Sequence, residues 1–207
     1  MRKQLKAKSS KTFATVLWKF RKLTPKQIKT IQQNKKKIQT KKYSNFALQL
    51  RAKQLVSALY GKLKLQSLKQ ILHKSETYQG KITHSFFSLL EKRLDSGLVQ
   101  LKFAPTFLAA RQYINHQKVY VNHRIVTAPG FLLKPGDLIT LASPIKHLVN
   151  ANLQSTYSQG VQNQAQFYKP IQFEVNYKTL EAIFLFSPQQ IHYPAELNPE
   201  LVIKSFR

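Results

Sequence analysis

Lysine runs without nearby acids are the residues of this sequence best suited to bind a ligand. Lys35, Lys36 and Lys37 are consecutive, and Lys41 and Lys42 follow shortly after them. Lysine ammonium groups neutralise phosphates and release the counterions condensed on a nucleic acid. A charge run is often only a solvated surface, but no carboxylate lies in this part of the chain to pair with it. These five lysines are therefore predicted to contact phosphate.

Residues that could catalyse a reaction or hold a cofactor are missing from the same sequence. The eight acids are scattered, so no carboxylate pair for general acid–base catalysis is indicated. The six glycines form no Walker or Rossmann loop, and the six histidines lack metal-site spacing. The absence of cysteine excludes disulfides and thiolate metal ligands. We predict a protein that is not an enzyme and holds no cofactor or metal.

The charge of the chain indicates a polyanionic partner. The 207 residues carry a formal charge of +26, and 43% of them are hydrophobic, enough for one or two domains with a core. Residues 1–75 hold 21 of the 34 lysines and arginines and none of the eight acids. Such charge opposes compaction unless a polyanion or salt relieves the repulsion. RNA or DNA is the favoured partner and an anionic membrane surface the lesser one, and no apolar run is long enough to span a bilayer.

The first 42 residues are predicted to be a basic, extended N-terminal arm. The segment could instead be a mitochondrial presequence, because it is basic and poor in acids. The arm is favoured because the acid-free composition continues to residue 75, beyond a usual targeting peptide. Within the arm, Thr24 as an N-cap and Pro25 at the first helical position predict a short helix that ends near Ile38.

Helical patterns dominate the next part of the chain. Ser44 or Asn45 can cap a helix, Gly61 marks a break, and apolar residues at helical spacing continue to residue 73. The polar residues 74–84 are predicted to be a linker. A further helix is predicted at about Ser85–Leu94.

Residues 91–142 carry the pattern of two short helices followed by a small twisted sheet. Leucines at 94, 98 and 101 indicate the first helix, and Thr106 can cap a second that ends near His116. Alternation at Lys118–Asn122 and again at Leu138–Leu141 predicts strands. Residues 143–169 are rich in Gln, Asn and Ser and are predicted to be a loop or variable insert.

The C-terminal residues are predicted to form a hairpin and a tethered tail. Residues 170–186 alternate in polarity, which predicts a β-hairpin that turns near Asn176–Thr179. Three prolines punctuate the tail that follows. The apolar Leu201-Val202-Ile203 is predicted to dock in a core and to hold the C-terminus.

Many residues of Leu90–Leu141 lie at the spacing of a known module, the S-four RNA-binding domain, which this stretch resembles. They are Arg93-Leu94-Asp95, Phe103-Ala104, Thr106, Ala110-Arg111-Gln112, Ile114, His116, Val119, Val121-Asn122, Val126, Pro129, Lys134-Pro135-Gly136-Asp137 and Ile139. The domain also occurs in pseudouridine synthases and tyrosyl-tRNA synthetases. The flanks Tyr43–Gln54 and Glu174–Tyr177 resemble the ribosomal protein S-four family of the small subunit, and the likeness covers residues 43–207 apart from 143–168.

This resemblance implies an α+β fold, a mostly helical domain with an inserted S-four-like RNA-binding domain. The predicted boundaries are 1–42 for the arm, 43–90 plus 170–207 for the helical domain, 91–142 for the RNA-binding domain and 143–169 for the insert. The resemblance implies binding to the 5′ domain of small-subunit rRNA during assembly and a position near the mRNA entry channel. The implied partners are small-subunit rRNA, neighbouring small-subunit ribosomal proteins and mRNA, with no membrane.

The sequence departs from the family at several positions. Phe107, Ala109 and His123 replace a basic residue, an acid and a glycine, and a cysteine-bearing start that can hold zinc is missing. The residues predicted to bind RNA are Arg93, Thr106, Arg111, Gln112, His116, Lys118, Asn122, Arg124, Arg51, Lys53, Lys35, Lys36, Lys37, Lys41 and Lys42.

Some of these residues have structural alternatives. Asp95 could pair with Arg93 or cap a helix, and His116 could favour the dipole at a helix C-terminus. Asn122 could be a turn residue that tolerates left-handed geometry.

Three functional classes compete for this sequence. A ribosomal structural protein is favoured because both flanks match. An RNA-modifying enzyme would need a further catalytic domain, and a free RNA-binding module would lack the matching flanks. The bias towards Lys, Gln, Phe and Ile is typical of AT-rich organelle genomes, which favours a mitochondrial ribosome over a plastid or the bacterial cytoplasm.

Overall fold

The structure is a computed structural model, and it describes residues 10–15, 17, 24–39, 43–160, 170–188 and 197–206. After a helical turn at residues 10–13, the elements in chain order are α1 (Pro25–Gln39), α2 (Asn45–Leu59), α3 (Leu65–Glu76), α4 (Ile82–Glu91), α5 (Leu94–Gln100), α6 (Phe107–Asn115), β1 (Val119–Val121), β2 (Arg124–Ile125), β3 (Leu138–Leu141), α7 (Ser143–Gly160), β4 (Phe173–Asn176), β5 (Glu181–Phe184) and α8 (Pro199–Lys204). The predicted α+β class is confirmed.

The chain divides into two compact units. The first unit comprises residues 1–83 and 192–207, and the second comprises residues 84–191. The second unit therefore interrupts the sequence of the first. The first unit is helical where it is described, and the second contains the sheet.

Helix α1 begins with a reciprocal cap. The backbone N–H of Gln27 donates to Thr24 Oγ1 at 3.4 Å, and the backbone N–H of Thr24 donates to Gln27 Oε1 at 3.2 Å. This capping box satisfies two backbone donors that a helix start leaves without partners. The helix predicted from Thr24 and Pro25 is confirmed.

The described part of residues 1–42 is not an extended arm, which corrects the prediction. Leu17 is completely buried and packs with Leu55 and Ala58 of α2. The side-chain amide of Asn34 donates to the Lys11 carbonyl at 2.9 Å, so α1 is tied to the turn at residues 10–13. The acid-free composition led to the prediction of an arm, but the few apolar residues of the segment have a core to enter.

The C-terminal helix completes the first unit. Helix α8 packs against α2, and its Val202 and Ile203 are buried. Lys53 Nζ donates to the Ser205 carbonyl at 3.0 Å and lies 4.5 Å from the centre of the Phe206 ring. The predicted docking of residues 201–203 is confirmed.

The boundaries of the helices differ from the prediction in one linker. Helix α3 continues to Glu76 and helix α4 begins at Ile82, so the connection is much shorter than residues 74–84. The caps at Ser44 and Thr106 are confirmed, since their hydroxyls accept from the backbone N–H groups of Ala47 and Ala109.

The second unit is built on an antiparallel sheet. Its described strands lie in the order β2-β1-β3-β5-β4. One face is buried against α5, α6 and α7. The large side chains of this core are Leu94, Leu98, Leu101, Phe103, Ile114, Val119, Val121, Ile139, Leu141, Phe173 and Phe184.

The hairpin of β4 and β5 belongs to this sheet, which corrects the predicted domain boundary at residue 170. Strand β5 pairs with β3 in the register Ile139↔Ala182. Phe173 and Phe184 are buried, with ring centres 5.2 Å apart. Local alternation predicted the hairpin correctly, but it could not identify β3 as the neighbour of β5.

Residues 143–160 form helix α7, which corrects their prediction as a loop or variable insert. Val149 and Leu153 are four residues apart and bury their side chains in the core of the second unit. Helix propensity is weak in this segment because Asn, Ser and Thr compete with the helical backbone for hydrogen bonds. Tertiary burial of one apolar stripe outweighs that weakness.

Leu153→Ala is expected to lower the free energy of unfolding by about 2–5 kcal/mol, because it leaves a cavity where a buried side chain packed. Leu148→Ala is the matched control, because Leu148 lies on the same helix and is 51% exposed. Urea denaturation followed by circular dichroism measures both variants. Equal stability of the two variants would contradict the packing of α7.

Candidate RNA-binding surface

The outer face of helix α6 presents Gln112 and His116 beside the exposed Leu108, because the opposite face is anchored in the core. Ala110 and Ile114 are completely buried, whereas Gln112 and the C-cap residue His116 are exposed. The helix start fixes this rotation, because Thr106 Oγ1 accepts the Ala109 backbone N–H at 3.2 Å. Of the residues predicted here, Gln112 and His116 are accessible, and Thr106 is used as a cap.

Asp95 is the buried centre of an ion-pair cluster. Its side chain is 1% exposed and accepts two hydrogen bonds from Arg93, from Nε at 3.0 Å and from Nη2 at 2.9 Å. The Arg93 side chain is 9% exposed. The Arg93 guanidinium fork is therefore held inside the protein by a carboxylate, and its contact with RNA stays a prediction.

Arg111 reaches the same carboxylate from helix α6. Its Nε donates to Asp95 Oδ2 at 2.8 Å, and its side chain is 19% exposed. One acid thus holds two arginines from different elements. Arg111 retains a partly accessible guanidinium, so it stays a candidate at the edge of the surface.

The segment 129–133 runs beside the start of α5 and covers the ion pair. The Leu94 backbone N–H donates to the Phe131 carbonyl at 2.8 Å, and that of Leu133 donates to the Lys92 carbonyl at 2.9 Å. A Cβ atom on Gly130 would lie 3.1 Å from Arg93 Nη1. Gly130 was missed from the sequence, although the Pro129-Gly130 pair is a turn signal that could have marked a close backbone approach.

Asn122 joins the turn between β1 and β2 to the turn before β3. Its Nδ2 donates to Asp137 Oδ1 at 2.9 Å, and its Oδ1 accepts the Leu138 backbone N–H at 2.9 Å. Asp137 Oδ2 also accepts the Lys134 backbone N–H at 2.7 Å. Asn122 has φ 50. Asn122 therefore has the left-handed turn geometry expected of the structural alternative, and its amide is engaged within the fold. Its contact with RNA stays a prediction.

The carboxylates of the second unit are mostly engaged in internal contacts. Asp95 and Asp137 are buried, Glu91 accepts from the Gln100 amide, and Glu181 accepts from Thr179 Oγ1. Among the basic and imidazole groups near β1 and β2, Lys118 is half-buried, and the exposed ones are His116, His123, Arg124 and Lys134. The positive potential of Lys118, Arg124 and Lys134 is therefore little cancelled by acids nearby, which suits a polyanion.

Burial shifts the pKa of three groups in the second unit. Desolvation lowers the pKa of Lys92 and of Lys102, and it raises the pKa of Tyr113. In each case burial disfavours the charged form. A phosphate close to either lysine would act in the opposite direction and favour the ammonium.

The predicted residues of the first unit divide into exposed and engaged groups. Lys35, Lys36 and Lys37 are exposed on α1. Arg51 Nη2 donates to the Phe13 carbonyl at 3.1 Å, and Lys53 is held by α8 as described above. The side chains of Arg51 and Lys53 are therefore both engaged in hydrogen bonds to backbone carbonyls of the first unit. Lys41 and Lys42 lie outside the described residues.

Two other kinds of site are absent from the part of the chain that the structure describes. No group of three His, Cys, Asp or Glu side chains there could hold a metal ion. No helix in that part is both long and apolar enough to cross a membrane.

Comparisons with known proteins match this chain to a family. A family model described as the S4 domain matches residues 92–139. Small ribosomal subunit protein uS4m of Marchantia polymorpha is 36% identical over 186 residues, which is 90% of this chain and 92% of that protein. Small ribosomal subunit protein uS4 of Roseobacter denitrificans is 33% identical over 167 residues, and that of Caulobacter vibrioides is 32% identical over 167, each covering 80% of this chain and 78% of the relative.

Asp95→Asn is expected to lower the free energy of unfolding by about 3–5 kcal/mol, because it leaves the buried Arg93 guanidinium without a counter-charge. Glu174→Gln is the control, since Glu174 is exposed, and it is expected to change stability by about 0.5 kcal/mol or less. Chemical denaturation at neutral pH measures both. A small effect of Asp95→Asn would show that the second unit does not depend on this cluster.

Proposed function

The chain belongs to the uS4 family of small ribosomal subunit proteins, and from this premise we propose how its S-four RNA-binding domain holds small-subunit rRNA. Helix α6 and the strands β1 and β2 form the contact surface. Gln112, His116, Lys118 and Arg124 are the residues that we assign to it, with Arg111 at its edge.

The observation that carries this proposal is the placement of charge in the S-four domain. Asp95 and Asp137 are buried among their own hydrogen-bond donors. The basic groups of β2 and of the turn before β3, Arg124 and Lys134, are exposed. A surface with its carboxylates turned inwards and its cations turned outwards attracts phosphate over any electroneutral partner.

Two kinds of contact would recognise the RNA, one to its phosphates and one to the minor groove of its helices. Lysine and arginine neutralise phosphates and supply most of the affinity, so binding weakens steeply as salt is added. Gln112 and His116 can donate to 2′-hydroxyl and phosphate oxygens in the shallow minor groove of an RNA helix. The deep major groove is closed to side chains, so shape rather than base sequence would decide the site.

The first unit is proposed to add a second contact through α1. Lys35, Lys36 and Lys37 are exposed there, and α1 contains no acid. Residues 1–75 contain no acid at all. We infer that the 5′ domain of small-subunit rRNA is the target and that the protein binds during assembly, as the family resemblance implies.

The further partners of the protein and its compartment are also proposals. Neighbouring small-subunit proteins and mRNA near the entry channel are the further partners that the resemblance implies. Similarity to uS4m over 90% of the chain and the organelle-like composition support a mitochondrial ribosome. A structural role without catalysis agrees with the ribosomal relatives, and we infer that the chain is not an enzyme.

Arg124→Gln is expected to weaken binding to an rRNA 5′-domain transcript and to reduce the slope of log K against log salt concentration by about one, because one phosphate contact is lost. Lys178→Gln is the control. Lys178 is exposed in the turn between β4 and β5, far from β2 across the sheet, and its loss should leave the slope unchanged. Equal slopes for both variants would remove Arg124 from the surface.

In a sucrose gradient at moderate salt, the chain is expected to sediment with small ribosomal subunits and to move to the top after ribonuclease digestion. The physical reason is that rRNA is the polyanion that offsets its charge. Recovery of the untreated chain only in the free-protein fractions would favour a free RNA-binding module instead.

A further inference from the structure

The turn between β1 and β2 holds two consecutive residues in the left-handed region. Val121 pairs with Arg124, so the loop consists of Asn122 and His123 alone. Their φ angles are 50 and 63. Positive φ at both positions of a two-residue hairpin loop is the type I′ turn, and Asn followed by Gly is the sequence that suits it best. A histidine in the second position carries a backbone penalty that glycine would not.

The side-chain hydrogen bonds of Asn122 explain its left-handed backbone conformation. Its amide bonds to Asp137 and to the backbone of Leu138. These bonds hold the turn at residues 122–123 against the turn at residues 134–137, and we call the two together the paired turns. The fold therefore has a reason to keep an asparagine at the first position.

His123 has no comparable structural reason. Its side chain is exposed, and across the described parts of the chain its imidazole forms no hydrogen bond or ion pair. The paired turns are locked by Asn122, Asp137 and backbone groups, so the imidazole contributes nothing to the lock. A strained residue whose side chain the fold does not use is a reason to look for a ligand.

The surroundings of His123 indicate the chemistry of that ligand. Arg124 follows it directly and is exposed, and Lys134 of the neighbouring turn is exposed as well. Asp137 is the only acid among residues 118–137, and it is 9% exposed with both carboxylate oxygens engaged. Glu181 of β5, the strand next to β3, is half-buried, and its carboxylate accepts a hydrogen bond from Thr179 Oγ1. The tip of the paired turns therefore presents donors and positive charge to an anion.

We propose that the paired turns form an RNA phosphate-binding site in which the His123 imidazole N–H donates to a backbone phosphate oxygen, beside Arg124 and Lys134. The backbone penalty at His123 is retained because glycine has no side chain to make this contact. The site rests on the proposed rRNA-binding function and adds His123 and Lys134 to the surface. A phosphate-rich RNA strand is favoured over a neighbouring protein because the exposed groups here are donors and cations.

His123→Gly should separate stability from binding. Relief of the left-handed side chain predicts a melting temperature equal to that of the native chain or higher by up to about 4 °C. Loss of a hydrogen bond to a charged group predicts about tenfold weaker binding to an rRNA 5′-domain transcript. The full chain is used, with melting followed by differential scanning fluorimetry and affinity by filter binding.

The matched control is Gln117→Gly. Gln117 lies at the other end of β1, is exposed and also has a positive φ, 58. It should gain stability in the same way and keep its affinity within about twofold, since no charged-group hydrogen bond is removed. A His123→Gly variant that binds as tightly as the native chain overturns the proposal, as does one that loses melting temperature and affinity together. Failure of the native chain to bind the transcript would instead overturn the proposed function.

Proximity to RNA can be tested independently, because the chain contains no cysteine. His123→Cys creates a single attachment point for an iron chelate that generates hydroxyl radicals. In assembled small subunits, this position should cleave rRNA, whereas the same chelate on Lys178→Cys should not. Absence of cleavage from position 123 in particles that contain the labelled protein would place the turn away from RNA and contradict the proposal.

Discussion

The buried carboxylate of Asp95 is the interaction on which the RNA-binding unit depends. It lies at the start of α5, bonds Arg93 beside it and also bonds Arg111 of α6. The segment 129–133 closes over this cluster through backbone hydrogen bonds to Leu94 and Lys92. A single acid therefore fixes α6 relative to α5 and to the loop. The rotation of α6 in turn leaves Gln112 exposed, whereas Arg93 stays buried beside Asp95.

The scarcity of acids makes each buried carboxylate serve two purposes. A chain with formal charge +26 and eight acids has few ways to reduce its own repulsion. Placing Asp95 and Asp137 inside the second unit stabilises arginine and turn geometry there, where charge-assisted bonds are strong. The same placement removes negative charge from the surface. Burial of these two carboxylates therefore stabilises the fold and also makes the surface more attractive to RNA.

Local signals in the sequence predicted what local interactions determine. The caps at Thr24, Ser44 and Thr106 form as predicted, because a cap needs only residues three positions apart. Long-range interactions explain the errors. Helix α7 forms because Val149 and Leu153 pack in a core supplied by other elements, and β5 pairs with β3 although Ile139 and its partner Ala182 are far apart in the sequence. No periodicity within residues 143–186 contains that information.

The residues of the candidate site show the same difference between local and long-range interactions. Sequence alone marked Arg93, Arg111 and Asn122 as polar groups for RNA, but their partners Asp95 and Asp137 draw them partly or wholly into the fold. What distinguishes an inward arginine from an outward one is the position of a carboxylate in space. Conversely, two left-handed residues flank β1, and only one of them is explained by local bonds. Gln117 follows the C-cap of α6, where its backbone N–H donates to the Ile114 carbonyl and that of Lys118 donates to the Tyr113 carbonyl, each at 3.0 Å. His123 at the other end of β1 has a left-handed backbone that its exposed side chain does nothing to stabilise. Departures from local consistency concentrate at functional sites, and this is why the proposed phosphate contact is placed at His123 and not at Gln117.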